Sequence, residues 1–215
     1  MLKLVVFDLD GTLLNSEEAI LESLNRAFGK IGLGPYGWGP DIARFFGKPF
    51  RVWAETLLKE AGRYSEKLTD EMTNRTWDNY ALLGPSLVKL NPGARATLDG
   101  LKGAGVKMAV ATNMMSRHAR ILLPHLDIAG YFEEVCTSDS VKRAKPYNDQ
   151  FECIKRRVKA SASETLMVGD SATDLEFARN CGIKAALLDA PWNRALKPDY
   201  RINNLKEVLR LTRKK

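Results

Sequence analysis

Cysteine is scarce in this 215-residue sequence. There are three, Cys136, Cys153 and Cys181, widely spaced and with no CxxC pair. An odd, scattered set argues against a disulfide framework and against a zinc site, and points to a reducing cytoplasm. No histidine motif accompanies any of the three, so a cysteine nucleophile is set aside. Long apolar runs are also missing: none reaches the roughly 20 residues that span a bilayer, which predicts no membrane association. The stretch Leu2 to Phe7 lacks a basic leader and runs straight into Asp8, so it reads as a buried strand and not a signal peptide. Internal repeats and low-complexity tracts are absent. Acidic residues are outnumbered, 26 against 33 Lys and Arg, for a net charge of +7. The excess is scattered except in the tail Arg210, Arg213, Lys214, Lys215. That pattern suits a solvated helix end better than a nucleic-acid surface, and a positive field attracts phosphorylated metabolites.

What is present is ordinary for a globular chain, with 45% hydrophobic and 27% charged residues. Four short apolar runs each stop at a polar residue: Leu4 to Asp8, Met108 to Thr112, Leu166 to Asp170 and Ala185 to Asp189. Runs this short suit strands buried on both faces of a parallel sheet. Between them lie helix-start signals: Asn91 before Pro92, Ser116 before Arg117, and Ser171 before Ala172. Gly182 stands where a helix C-terminal glycine belongs. The alternation predicts a doubly wound, Rossmann-like α/β fold, whose ligands bind beyond the carboxyl ends of the strands. Asp8, Thr112 and Asp170 occupy three such ends.

The segment from 15 to 85 breaks the alternation. Helical periodicity runs through Ile20, Leu21, Leu24, Ala27 and Phe28, and again from Val52 to Leu58, separated by a Gly/Pro-rich passage from Gly32 to Pro40. Trp38, Trp53 and Trp77 lie in this insert and read as core packing. The expected organisation is an α/β core of residues 1–14 and 86–215 carrying an inserted α-helical cap domain of residues 15–85.

Four motifs carry chemistry. In Asp8-Leu-Asp10-Gly-Thr-Leu, two carboxylates spaced by two share one face of an extended segment, and both can reach one hard cation such as Mg2+. In Val110-Ala-Thr112-Asn113, a strand-end hydroxyl followed by free backbone amides makes a phosphate cradle. Lys145 precedes Pro146, which favours an extended, fixed lysine. In Gly169-Asp170-Ser-Ala-Thr-Asp174, one acid ends a strand and the second lies on the next helical turn.

In this order, the four motifs resemble the haloacid dehalogenase superfamily, specifically its phosphatase branch with an α-helical cap, similar to phosphoglycolate phosphatases. The resemblance implies a phosphoaspartyl mechanism. Asp8 would be the nucleophile; Asp10 would protonate the leaving oxygen and then activate water. Mg2+ would be held by Asp8, Asp170 and the Asp10 carbonyl, with Asp174 in support, while Thr112, Asn113 and Lys145 bind the phosphoryl group. An acid at position 10 favours phosphoryl transfer over dehalogenation, since a halide leaving group needs no proton. Asn15 departs from the aspartate common at that hinge position. In the cap, Phe46-Gly47-Lys48-Pro49-Phe50-Arg51 places Lys48 and Arg51 beside a glycine, as candidate substrate contacts. The expected partner is a small phosphorylated metabolite, with no nucleic acid. The alternatives are a phosphomutase of the β-phosphoglucomutase type and, in another class, a nucleic-acid-binding protein with an inactive core.

Overall fold

A computed structural model describes residues 1–45 and 47–212. Phe46 and the tail residues Arg213, Lys214 and Lys215, named above, lie outside the described residues. Six strands among these residues form one parallel sheet in the order β5-β4-β1-β6-β7-β8. They are β1 (Leu4–Phe7), β4 (Lys107–Ala111), β5 (Glu134–Cys136), β6 (Thr165–Gly169), β7 (Lys184–Leu188) and β8 (Tyr200–Ile202). Alternate residues of the central strands face opposite layers. Val5, Phe7, Met108, Val110, Leu166 and Val168 join one apolar cluster, whereas Leu4, Val6, Ala109, Ala111 and Met167 join the other. Burial on both faces is why these strands read as unbroken apolar runs.

The edge strands β5 and β8 gave no such run. Each is three residues long, and Glu134, Val135, Tyr200 and Arg201 are all partly or fully exposed. Between the strands run α5 (Ala94–Gly103), α6 (Ser116–His125), α7 (Asp149–Arg157) and α8 (Ala172–Cys181), with α9 (Val208–Leu211) closing the described chain. Ser171 caps α8 as expected, accepting from the Asp174 amide, and Gly182 ends it in the left-handed conformation. Two other helix-start readings are corrected. Asn91 does not cap α5, which starts at Ala94; its amide instead donates to the Gly11 and Thr12 carbonyls. Ser116 is the first residue of α6, its amide and hydroxyl both bonded to Asp139.

The insert leaves and re-enters the core through a two-strand antiparallel ribbon, β2 (Leu14–Asn15) against β3 (Lys89–Leu90). Between them lie α1 (Glu17–Gly29), α2 (Pro40–Ala43), α3 (Phe50–Glu60) and α4 (Glu66–Leu87). The last of these runs through Pro85, two residues past the expected boundary at 85. Its buried positions include Thr69, Met72, Thr76, Tyr80 and Leu83, a stripe at helical spacing whose threonines hide it from a purely apolar search. Trp53 is buried and Trp77 half-buried, but Trp38 is 40% exposed, against the core role expected for it.

Candidate active site

The carboxyl ends of β1, β4 and β6 open into one cavity of about 60 Å³ beneath the insert. Asp8, Asp10, Thr112, Asn113, Lys145 and Ser171 line it from the core, and Ile20, Gly47, Lys48, Pro49, Phe50, Trp53 and Trp77 from the insert. Asp8 is 6% exposed, and its amide donates to the Val168 carbonyl of β6. The turn that follows β1 requires glycine at position 11, where φ is 81° and a Cβ would overlap the Asp170 carboxylate.

Lys145 sits at the centre of the charge pattern. Its ammonium donates to Asp8 Oδ1 at 2.7 Å and to Asp174 Oδ1 at 2.6 Å, with 5% of the residue exposed. Burial alone would lower its pKa, but Asp174 and Asp8 together hold it above its usual value, so it stays a cation. The lysine is set by two amide side chains. Its N–H donates to Gln150 Oε1, and its carbonyl accepts from Asn113 Nδ2 at 3.1 Å. Gln150 also donates to the Thr112 and Cys136 carbonyls, tying the lysine loop to the ends of β4 and β5.

Asp170 accepts from the Thr12 hydroxyl at 3.0 Å and from the Trp192 indole at 3.0 Å, while Asn193 donates to its carbonyl. Asp174 uses Oδ1 on Lys145 and Oδ2 on the amides of Asp170 and Ser171 and the Ser171 hydroxyl. With both oxygens so engaged, it braces the cluster. Carboxylate oxygens of Asp8, Asp170 and Asp174 lie within 4.8 Å of one another. Burial pushes the Asp8 carboxyl up to about 7, against the pull of Lys145, and holds Asp170 well above the usual range. One ammonium cannot balance this many desolvated acids, and an all-oxygen donor set fits a hard divalent cation.

Asp10 is raised by burial and accepts a hydrogen bond from the Tyr80 hydroxyl at 2.8 Å. Thr112 is 1% exposed, and its hydroxyl accepts from the Met114 amide at 3.1 Å, leaving its own proton to donate. Asn113 lines the cavity, but its amide nitrogen serves the Lys145 carbonyl.

The two insert cations fare differently. Lys48 is exposed and borders the cavity; its ammonium lies 5.9 Å from the centre of the Phe45 ring, and its backbone carbonyl accepts from Trp53. Arg51 is absent from that lining. It borders the wider outer groove, and its guanidinium is paired with Glu66, Asp70 and Glu55 of the insert. The insert is seated on the core at Gly47, whose carbonyl accepts from the Thr173 hydroxyl at 3.0 Å. Motif reading missed Tyr80, Gln150 and Trp192. Each acts through a residue of a motif and stands outside any motif itself. For Tyr80 the α4 stripe was the available signal.

The family model for haloacid dehalogenase-like hydrolases matches residues 5–188. A phosphoglycolate phosphatase of Vibrio parahaemolyticus is 30% identical, across 97% of this chain and 95% of its own. A phosphorylated carbohydrates phosphatase of Thermotoga maritima is also 30% identical, across 95% and 99%. Among solved structures, a predicted phosphoglycolate phosphatase from Haemophilus somnus superposes with a TM-score of 0.87 at 26% identity, covering 99% of this chain and 98% of that one.

Proposed function

The chain belongs to the haloacid dehalogenase-like hydrolases, and on that premise we propose that it is a Mg2+-dependent phosphatase of small phosphomonoesters working through a phosphoaspartyl intermediate on Asp8. The observation that carries the reading is the convergence of Asp8, Asp10, Thr112 and Lys145 on one small cavity roofed by the insert. The phosphatase names of the relatives agree with it.

Asp8 attacks phosphorus as the bond to the leaving oxygen breaks, and Asp10 gives that oxygen its proton. Asp10, now a base, takes a proton from the water that attacks the phosphoaspartate, and phosphate departs with Asp8 restored. Two moderate barriers replace one very high barrier. Lys145 holds Asp8 Oδ1 and neutralises charge at the point of attack, and the Thr112 hydroxyl donates to a phosphoryl oxygen. Asp8, Asp170 and the Asp10 carbonyl would hold the metal, with Asp174 in support. Bound there, the metal supplies positive charge that lets an anionic nucleophile meet an anionic phosphate.

A cavity of about 60 Å³ has room for a few water molecules, so it suits a phosphoryl group bearing a short leaving group. The walls from Phe50, Trp53 and Trp77 are apolar, and Lys48, which borders the cavity, would turn its ammonium from the Phe45 ring to a second anion on the substrate. No helix among the described residues is long and apolar enough to cross a membrane. A cytoplasmic site of action is part of the proposal. The test is phosphate release from a panel of two- to six-carbon phosphates, with Mg2+ and with chelator. Metal-dependent, stoichiometric phosphate release supports a phosphatase. Isomerised product without free phosphate would make the protein a phosphomutase, and inactivity across the panel would refute the reading.

A further inference from the structure

Asp10 belongs to the core, yet a tyrosine of the insert donates a hydrogen bond to its carboxyl. Tyr80 lies on α4, is 1% exposed, and donates from its hydroxyl to Asp10 Oδ1 at 2.8 Å. Its ring is fixed edge-on against three others: Phe50 at 6.2 Å, Trp77 at 5.9 Å and His118 at 5.8 Å. Phe50 and Trp77 line the cavity; Tyr80 does not. The phenol therefore stands behind the aromatic wall, reaching the carboxyl group without meeting the substrate.

Resting on the reading of Asp10 as acid and base, we propose that Tyr80 is a positioning residue that holds the Asp10 carboxyl in the orientation its proton transfers need. A carboxylic acid can protonate either oxygen, and rotation about its last bond exchanges them. A fixed hydroxyl at Oδ1 ties that oxygen into a hydrogen bond, the phenol donating, and leaves Oδ2 to exchange a proton. The carboxyl is thereby held against rotation. Both half-reactions need this. The leaving oxygen must find the proton in the first step, and the water must find the vacated oxygen in the second. Since the donor belongs to the insert, the acid–base group is complete only when α4 is seated over the core.

The experiment compares wild type, Tyr80→Phe, Asp10→Asn and the double variant, each with saturating Mg2+, on a two-carbon alkyl phosphate and on nitrophenyl phosphate. Tyr80→Phe keeps the ring and removes only the hydroxyl. The expected result is a fall in kcat of about tenfold on the alkyl phosphate, a fraction of the full acid–base contribution, with KM unchanged. The nitrophenyl burst should change less, because that leaving group scarcely needs a proton. In the Asp10→Asn background, Tyr80→Phe should cost nothing further, since no proton transfer is left to position. Tyr80→Met, which also lacks the hydroxyl, should show the same selectivity between substrates and serves if the Phe variant folds poorly. Equal losses in both backgrounds, or a loss confined to KM, would reduce Tyr80 to packing and overturn the inference alone. Undiminished alkyl phosphate turnover by Asp10→Asn would instead overturn the functional reading beneath it.

Discussion

His118 should make this protein acid-labile by a predictable amount. It lies on α6, is 1% exposed, and stacks on Trp77 of α4 at 4.5 Å. Its Nε2 bonds the Trp77 carbonyl at 3.0 Å, which makes that nitrogen the donor; Nδ1 is buried without a hydrogen-bond partner among the described residues. A second proton would have to sit on Nδ1, where nothing accepts it. Burial, with Arg117 adding repulsion, accordingly lowers the pKa from 6.5 to about 4. Between those values the unfolded chain binds a proton that the folded chain refuses, so stability is lost as pH falls. A separation of roughly 2.5 pH units, at about 1.36 kcal/mol apiece, is worth about 3 kcal/mol, most of it gone by pH 4.5. The assay is urea unfolding of wild type and His118→Phe from pH 7.5 to 4.5. The variant keeps an aromatic ring against Trp77 but cannot titrate, so wild type should lose about 2.5 kcal/mol more across the range. Parallel acid slopes for the two proteins would refute the argument.

Four further outcomes follow from the site geometry. Lys145→Met leaves Asp8 and Asp174 buried without their shared cation, and should cost about 3–5 kcal/mol by urea unfolding as well as abolishing turnover; an unchanged midpoint would contradict the pairing. Gly47→Ala places a Cβ against Ser171 at a φ of 77°, so it should obstruct seating of the insert. A loss of kcat/KM of about tenfold or more is expected while the far-UV spectrum is retained, and a wild-type value would count against closure at this point. Lys48→Ala should lower kcat/KM about tenfold for a phosphate bearing a carboxylate, relative to nitrophenyl phosphate. Arg51→Ala, whose guanidinium is already held by Glu66 and Asp70, should leave that ratio unchanged. The reverse ranking would mean that Arg51 is the substrate contact.

The central strands were legible because burial on both faces writes an unbroken apolar run. The edge strands β5 and β8 were not, since half of each faces water. Asp8, Thr112 and Asp170 stood out because each ends an apolar run, whereas Asp10 and Lys145, which lie in loops, stood out through their motifs, and the structure brings all five together. The residues that aim them were not legible in the same way. Gln150 orients Lys145 from five residues away, Trp192 reaches Asp170 across 22 residues, and Tyr80 reaches Asp10 across 70. Such pairings are made by packing: the α4 stripe marks Tyr80 as buried, but nothing local in sequence names the partner of any of the three. Asn91 shows the converse. Its local signal was a helix cap, but the stronger need was two carbonyls in the turn after Asp8.

The most direct measurement of the account is a search for the covalent intermediate. Asp10→Asn, mixed with Mg2+ and radiolabelled nitrophenyl phosphate and quenched in acid within milliseconds, should retain label as an acyl phosphate. Nitrophenolate leaves without a proton, while the variant lacks the base that clears the intermediate. The label should map to the peptide containing Asp8, and Asp8→Asn should neither retain label nor turn over. Turnover by Asp8→Asn, or an unlabelled Asp10→Asn protein that still releases nitrophenol in a burst, would contradict it.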